Sequence, residues 1–121
     1  MILTIDIGNS NIVLGGVEDQ KILFEARLQT DATKTSDQYC VDLKILLEVY
    51  GVDAKQIEGT IIASVVPQVL NSVQTAVKKL TGKQCLVVPT GRNPLVGGNP
   101  NPLERRILLR LFTVVFRITE G

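Results

Sequence analysis

A chain of 121 residues makes one modest domain, which at this size buries roughly two thirds of the surface its unfolded chain exposes. Hydrophobic residues are 45% of the chain but aromatics only 4%, with no Trp, so the core must come from Val, Ile and Leu, as in an α/β domain with buried strands. A net charge of +1 gives no global pull toward nucleic acid or an anionic membrane, and the absence of His removes Ser/His and Cys/His catalysis, His-ligated zinc and His general bases.

Acid, base or metal chemistry therefore falls to Asp and Glu. Cys40 and Cys85 lie far apart without metal-type spacing and read as reduced thiols of a cytoplasmic protein. The first residues enter a strand with no basic region and cleavage site, which argues against a secretory signal. No apolar run reaches transmembrane length.

In chain order, Leu3, Ile5 and Ile7 alternate onto one face of a strand, with Thr4 and Asp6 on the other. Gly8-Asn9-Ser10-Asn11 follows at once, then the strand-like run Ile12 to Val17, which predicts a tight β-hairpin with Asp6 beside its turn. Read blandly, this is turn chemistry, with Gly supplying positive φ and Asn tolerating it. Read chemically, the short side chains leave backbone N–H groups exposed, and such groups hold phosphate oxygens. Asp6 weighs toward chemistry. A carboxylate in an otherwise apolar strand costs stability unless it is solvated, paired or holding a cation.

Lys21 to Gln29 predicts a third strand, in which Ile22, Phe24, Ala26 and Leu28 alternate with Leu23, Glu25, Arg27 and Gln29. The polar segment from Thr30 to Ser36 leads into a helix with the stripe Tyr39, Leu43, Leu46, Leu47 and Tyr50, opened by a Thr35/Gln38 capping box and stopped by Gly51. Asp37 in the first turn suits the helix dipole. Thr30, Thr35 and Asp37 are also candidates to face the phosphate loop.

Ile57 to Val66 predicts a strand buried on both faces. Pro67 begins a helix with the stripe Val69/Leu70, Val73, Val77 and Leu80, Gly82 closes it, and Cys85 to Val88 is a fifth short strand before Pro89. Three antiparallel strands, helix, strand, helix, strand is an α/β order. It resembles the ribonuclease-H-like half-domain of the actin, sugar-kinase and acetate-kinase superfamily. A dinucleotide fold would instead place a helix after its first strand and ask for Gly-x-Gly-x-x-Gly there.

The chain changes character near Arg92. Every lysine and every aspartate lies before it, and every arginine but Arg27 lies at or after it. Asn93-Pro94, Gly97-Gly98, Asn99-Pro100 and Asn101-Pro102 form a stiff loop. Leu103 to Ile118 is apolar and basic and fits either a helix or a strand. Residues 1–91 thus read as the half-domain and 92–121 as a divergent tail, disordered or irregular, of the kind a shifted frame or a truncation leaves.

Three segments carry a sharper resemblance. Asp6-Ile7-Gly8-Asn9-Ser10-Asn11 is similar to the Asp-x-Gly-Asn-Thr-x phosphate motif of type III pantothenate kinases, with Ser10 for Thr. Thr35-Ser36-Asp37-Gln38-Tyr39 resembles that family's Thr-x-Asp-Glu-Tyr segment, and Ala63-Ser64-Val65-Val66-Pro67 its Ser-Ser-Val-Val-Pro stretch.

The resemblance implies ATP-dependent phosphorylation of pantothenate, the first step of coenzyme A synthesis, by a cytoplasmic homodimer using Mg²⁺ and a monovalent cation, K⁺ or NH₄⁺. It places Asp6, Ile7, Gly8, Asn9, Ser10, Asn11, Ile12 and Val13 on the ATP phosphates, with Asp6 acting indirectly through Mg²⁺. It implies no membrane and no nucleic-acid partner. The family's Gly-x-Asp-Arg motif, which carries its general base, is missing: no aspartate follows Asp53. Activity of this chain alone is therefore not expected. The alternatives are a non-enzymatic transcriptional accessory protein of the same family, for which Arg105, Arg106 and Arg110 are the only basic cluster, and an inactive fragment.

Overall fold

The computed structural model describes residues 1–19 and 21–89; the predicted stiff loop and basic tail lie outside these residues. Strands β1 (Ile2–Ile7), β2 (Asn11–Glu18) and β3 (Lys21–Gln29) come first, followed by α1 (Ser36–Val49), β4 (Gly59–Ser64), α2 (Pro67–Thr81) and β5 (Leu86–Pro89). They form a five-stranded sheet in the order β3-β2-β1-β4-β5. β1 pairs antiparallel with β2 (Ile2↔Val17 to Ile7↔Ile12) and parallel with β4 (Ile2↔Gly59 to Ile7↔Ser64), and β5 continues the parallel half. This is the α/β order and class that the sequence predicts.

The β1 alternation sorts its side chains. Leu3, Ile5 and Ile7 join Ile12, Leu14, Phe24, Ala26 and Ile62 on the face covered by both helices, where Tyr39, Leu43 and Leu47 of α1 and Val69, Val73, Ala76 and Val77 of α2 complete the core. The opposite face is also apolar: Ile2, Val13, Val17 and Ile61 form a second buried cluster. So β1 is not the half-buried strand its own alternation suggests. Neighbouring strands supply the apolar residues, and Thr4, though polar, is buried with its hydroxyl donating to the Gly15 carbonyl at 3.2 Å.

Local chemistry sets the helix ends. The Gln38 N–H donates to Thr35 Oγ1 at 3.2 Å and the Thr35 N–H to Gln38 Oε1 at 2.9 Å, the reciprocal capping box expected from Thr-x-x-Gln. Gly51 and Gly82 both take φ of 72° just past a helix, where a Cβ would be strained. Tyr50, expected on the buried stripe, is 45% exposed and instead stacks on Phe24 with ring centroids 5.3 Å apart. A 3₁₀ turn at Ala54–Gln56 was missed, although Asp53 and Gln56 spell its capping box.

β4 is shorter than the apolar run Ile57 to Val66. Ile57 is buried ahead of the ladder, Val65 is 50% exposed, and the Val66 N–H donates to Ser64 Oγ at 2.9 Å as the chain turns into Pro67. Cys40 and Cys85 are free thiols, and burial pushes that of Cys85 up to about 11, too weakly acidic for a thiolate nucleophile near neutrality.

Gly16 sits opposite Phe24 across β2 and β3, where a Cβ would collide with the Phe24 ring and lie 3.1 Å from Met1 Sδ. Because that ring is held by its stack on Tyr50, Gly16→Ala should lower stability by about 1–3 kcal/mol. Chemical denaturation measures it, and Phe24→Leu should recover part of the loss in a double-mutant cycle.

Candidate functional site

The parallel strands β1, β4 and β5 end side by side, Ile7 opposite Ser64 and Ser64 opposite Pro89. On the other side of β1 the antiparallel β2 begins. In open α/β sheets the carboxyl ends of strands at such a change of direction form the ligand crevice. The β1–β2 turn lies at that point.

The turn closes with the Gly8 N–H donating to the Asn11 carbonyl at 2.9 Å. Gly8 does not take a positive φ. Its glycine is needed for close approach, because a Cβ would sit 3.2 Å from that carbonyl oxygen. Asn9, Ser10 and Asn11 are exposed, and among the described residues no hydrogen bond engages the N–H of Asn9 or Ser10. Two donors without a partner among the described residues, in one exposed turn, are groups of the kind that can hold an anion.

The expected site residues divide into two groups. Asp6, Gly8, Asn9, Ser10 and Asn11 lie at or beside the turn. Ile7, Ile12 and Val13 are buried, so their side chains pack beneath it and reach no ligand. Val13 is the direct partner of Asp6 across β1 and β2, and Ala63 is its partner across β4.

That setting explains the electrostatics of Asp6. The carboxylate is half-buried, makes no hydrogen bond or ion pair among the described residues, and has its pKa raised by desolvation. A half-buried charge with no partner among these residues is a cost that a cation would relieve. No cluster of three metal-binding side chains occurs among the described residues. A divalent ion beside Asp6 would thus draw most of its oxygens from a bound ligand, as Mg²⁺ does with nucleotide phosphates.

Of the three candidates to face the turn, Thr30 does: its hydroxyl donates to the Gly8 carbonyl at 2.8 Å and its N–H to the Ser10 carbonyl at 3.0 Å. Thr35 is spent on the helix cap, and Asp37 pairs with Lys79 of α2 at 2.5 Å. The Val65 N–H donates to the Ile7 carbonyl at 3.1 Å, tying the β4–α2 turn to the end of β1. Sequence reasoning missed this bond and the Tyr39 hydroxyl, which bridges the Asp31 N–H and carbonyl at 2.9 and 2.8 Å. Tyr39 was legible as core, but nothing in its spacing points to its oxygen. Open depressions of about 660 Å³ and about 310 Å³ lie along α1, and neither is lined by a turn residue.

A family model for type III pantothenate kinase matches residues 2–101. The chain belongs to that family. It is 44% identical over 88 residues to a type III pantothenate kinase of Finegoldia magna, covering 73% of this chain and 34% of the relative. It is 42% identical over 98 residues to that of Rhizorhabdus wittichii, covering 81% and 37%. With that of Syntrophotalea carbinolica it shares 37% over 103 residues, covering 83% and 40%. The chain thus spans 34–40% of the length of these type III pantothenate kinases.

A solved chain from Porphyromonas gingivalis, described as a candidate N-acetylglucosamine kinase, superposes with a TM-score of 0.54 at 16% identity, over 74% of this chain and 33% of that one. At that identity it speaks for the fold alone. No helix among the described residues is long and apolar enough to cross a membrane.

Desolvation gives Asp6 a testable signature. Its folded pKa lies above its unfolded value, so the native state holds the proton more tightly. Stability then falls as pH rises from the ordinary carboxylate range through the folded pKa, and the deficit persists above it. Asp6→Asn should therefore raise the unfolding midpoint at pH 7, and the gain should shrink as pH falls through the folded pKa toward the ordinary carboxylate value of about 4. Thermal unfolding of both proteins across pH reads this directly.

Proposed function

We propose that the chain is the ATP-holding part of an enzyme that phosphorylates pantothenate from ATP, and that residues 6–13 form its phosphate loop. One observation carries the reading: a half-buried Asp6 beside two turn N–H groups, all without partners among the described residues, in a chain that belongs to the type III pantothenate kinases. The N–H groups of Asn9 and Ser10 would hold phosphate oxygens, with the Ser10 hydroxyl and Asn11 amide as further partners. Asp6 alone would repel a polyphosphate; it would hold the nucleotide through Mg²⁺, which supplies the neutralising charge. The same reading takes K⁺ or NH₄⁺ as a monovalent cofactor, a homodimer as the assembly and the cytoplasm as the setting.

Phosphoryl transfer asks a protein for positioning and electrostatic stabilisation more than for covalent chemistry. The turn serves the donor. The acceptor hydroxyl needs a base and a pocket, and this sequence has no aspartate after Asp53 to furnish the family's Gly-x-Asp-Arg motif. The chain by itself should bind Mg-ATP weakly and turn over negligibly.

A ligand that binds the native state raises its stability, so Mg-ATP should raise the unfolding midpoint of the wild-type chain. At saturating nucleotide the rise should be largely lost in Asp6→Asn, although the variant is more stable without ligand. Equal rises in both proteins would remove Asp6 from the site. Pantothenate phosphorylation by the chain at an ordinary enzymic rate, of about 1–100 per second for kinases, would contradict the missing-base argument.

A further inference from the structure

Thr30, at the end of β3, fastens the turn from outside its own hairpin. Its hydroxyl and N–H donate to the carbonyls of Gly8 and Ser10, at 2.8 and 3.0 Å. A peptide unit is planar and trans, so the Gly8 carbonyl and the Asn9 N–H lie in one plane and point in opposite directions. Fixing the carbonyl toward Thr30 therefore aims the Asn9 N–H away from it. The Ser10 carbonyl fixes the Asn11 N–H in the same way. Each bond also polarises its peptide and strengthens the opposite N–H as a donor.

Thr30 is itself held. The backbone of the next residue, Asp31, gives and receives hydrogen bonds with the Tyr39 hydroxyl at 2.9 and 2.8 Å, and Tyr39 is 1% exposed in the α1 core. A continuous line of bonds thus runs from the helical core through Tyr39, Asp31 and Thr30 to the turn.

We infer that Thr30 is a positioning residue for a bound polyphosphate: it aims the Asn9 N–H and braces the turn around it, and Tyr39 latches it in place. The inference rests on the phosphate-loop reading above. Thr30 touches no reacting atom. Its effect is on how well the turn's donors are arranged before the ligand arrives, which saves the cost of ordering them on binding.

Magnesium tripolyphosphate is the probe, because it presents the phosphates without a nucleoside. Its affinity is measured by calorimetric titration, alongside the unliganded unfolding midpoint of each protein. Thr30→Val keeps the shape and removes the hydroxyl; it should weaken binding about three- to tenfold while remaining folded at the titration temperature. Thr30→Ser should return affinity to within about twofold of wild type, which a loss of general stability would not do. Tyr39→Phe keeps the buried ring and removes the latch, and should cost about two- to threefold.

Wild-type affinity in Thr30→Val overturns the inference and leaves the phosphate loop standing. No binding by the wild-type chain overturns both. If Thr30→Val does not fold, Tyr39→Phe decides, and unchanged affinity there overturns the positioning role.

Discussion

Strand β1 is hydrogen-bonded on both sides, antiparallel to β2 and parallel to β4, and this one arrangement places everything that follows. An antiparallel neighbour can be reached by a short turn, so the chain reverses at Gly8 to Ser10. A parallel neighbour needs a crossover, so α1 intervenes before β4. The turn and the carboxyl ends of the parallel strands consequently meet at one edge. Asp6, the penultimate residue of β1, has nowhere to sit but between Val13 and Ala63 at that edge.

The same placement sets stability against use. Both faces of the sheet hold buried apolar clusters, and the charge on Asp6 is desolvated by the fold with no partner among the described residues to offset it. A residue that costs the folded state at the carboxyl ends of parallel strands marks function better than any count of polar residues does. The turn beside it is firmly built: Gly8 to Asn11 closes it from within, and Thr30 and Val65 tether it from β3 and from the β4–α2 turn. A rigid cradle next to an uncompensated charge is the arrangement that suits a cation-bearing polyanion.

Where interactions are local or periodic, the sequence declared them. The capping box at Thr35 and Gln38, Pro67 at a helix start, Gly51 and Gly82 past helix ends, and the alternation in β1 were all readable, because each depends on a few neighbouring residues. What escaped depends on partners far apart in the chain. The buried second face of β1 comes from Val13, Val17 and Ile61, and the tether from Thr30 crosses 22 positions to Gly8. Asp37 looked equally able to face the turn until the sheet order set it against Lys79. Within the site, Asp6, Gly8 and the exposed turn were legible as chemistry out of place in a strand. The buried Ile7, Ile12 and Val13 entered only through resemblance to a motif, and the fold gives them packing beneath the loop.

The central claim is that the turn's own N–H groups, next to Asp6, receive the phosphates of Mg-ATP. Backbone amide resonances of the isotopically labelled chain, followed during Mg-ATP addition, test it residue by residue. The account predicts saturable shifts at Asn9 and Ser10, with Gly8 and Asp6 moving beside them and the Lys44 to Lys55 depression along α1 unmoved. Shifts confined to that depression, or none at the turn at saturating nucleotide, would contradict it.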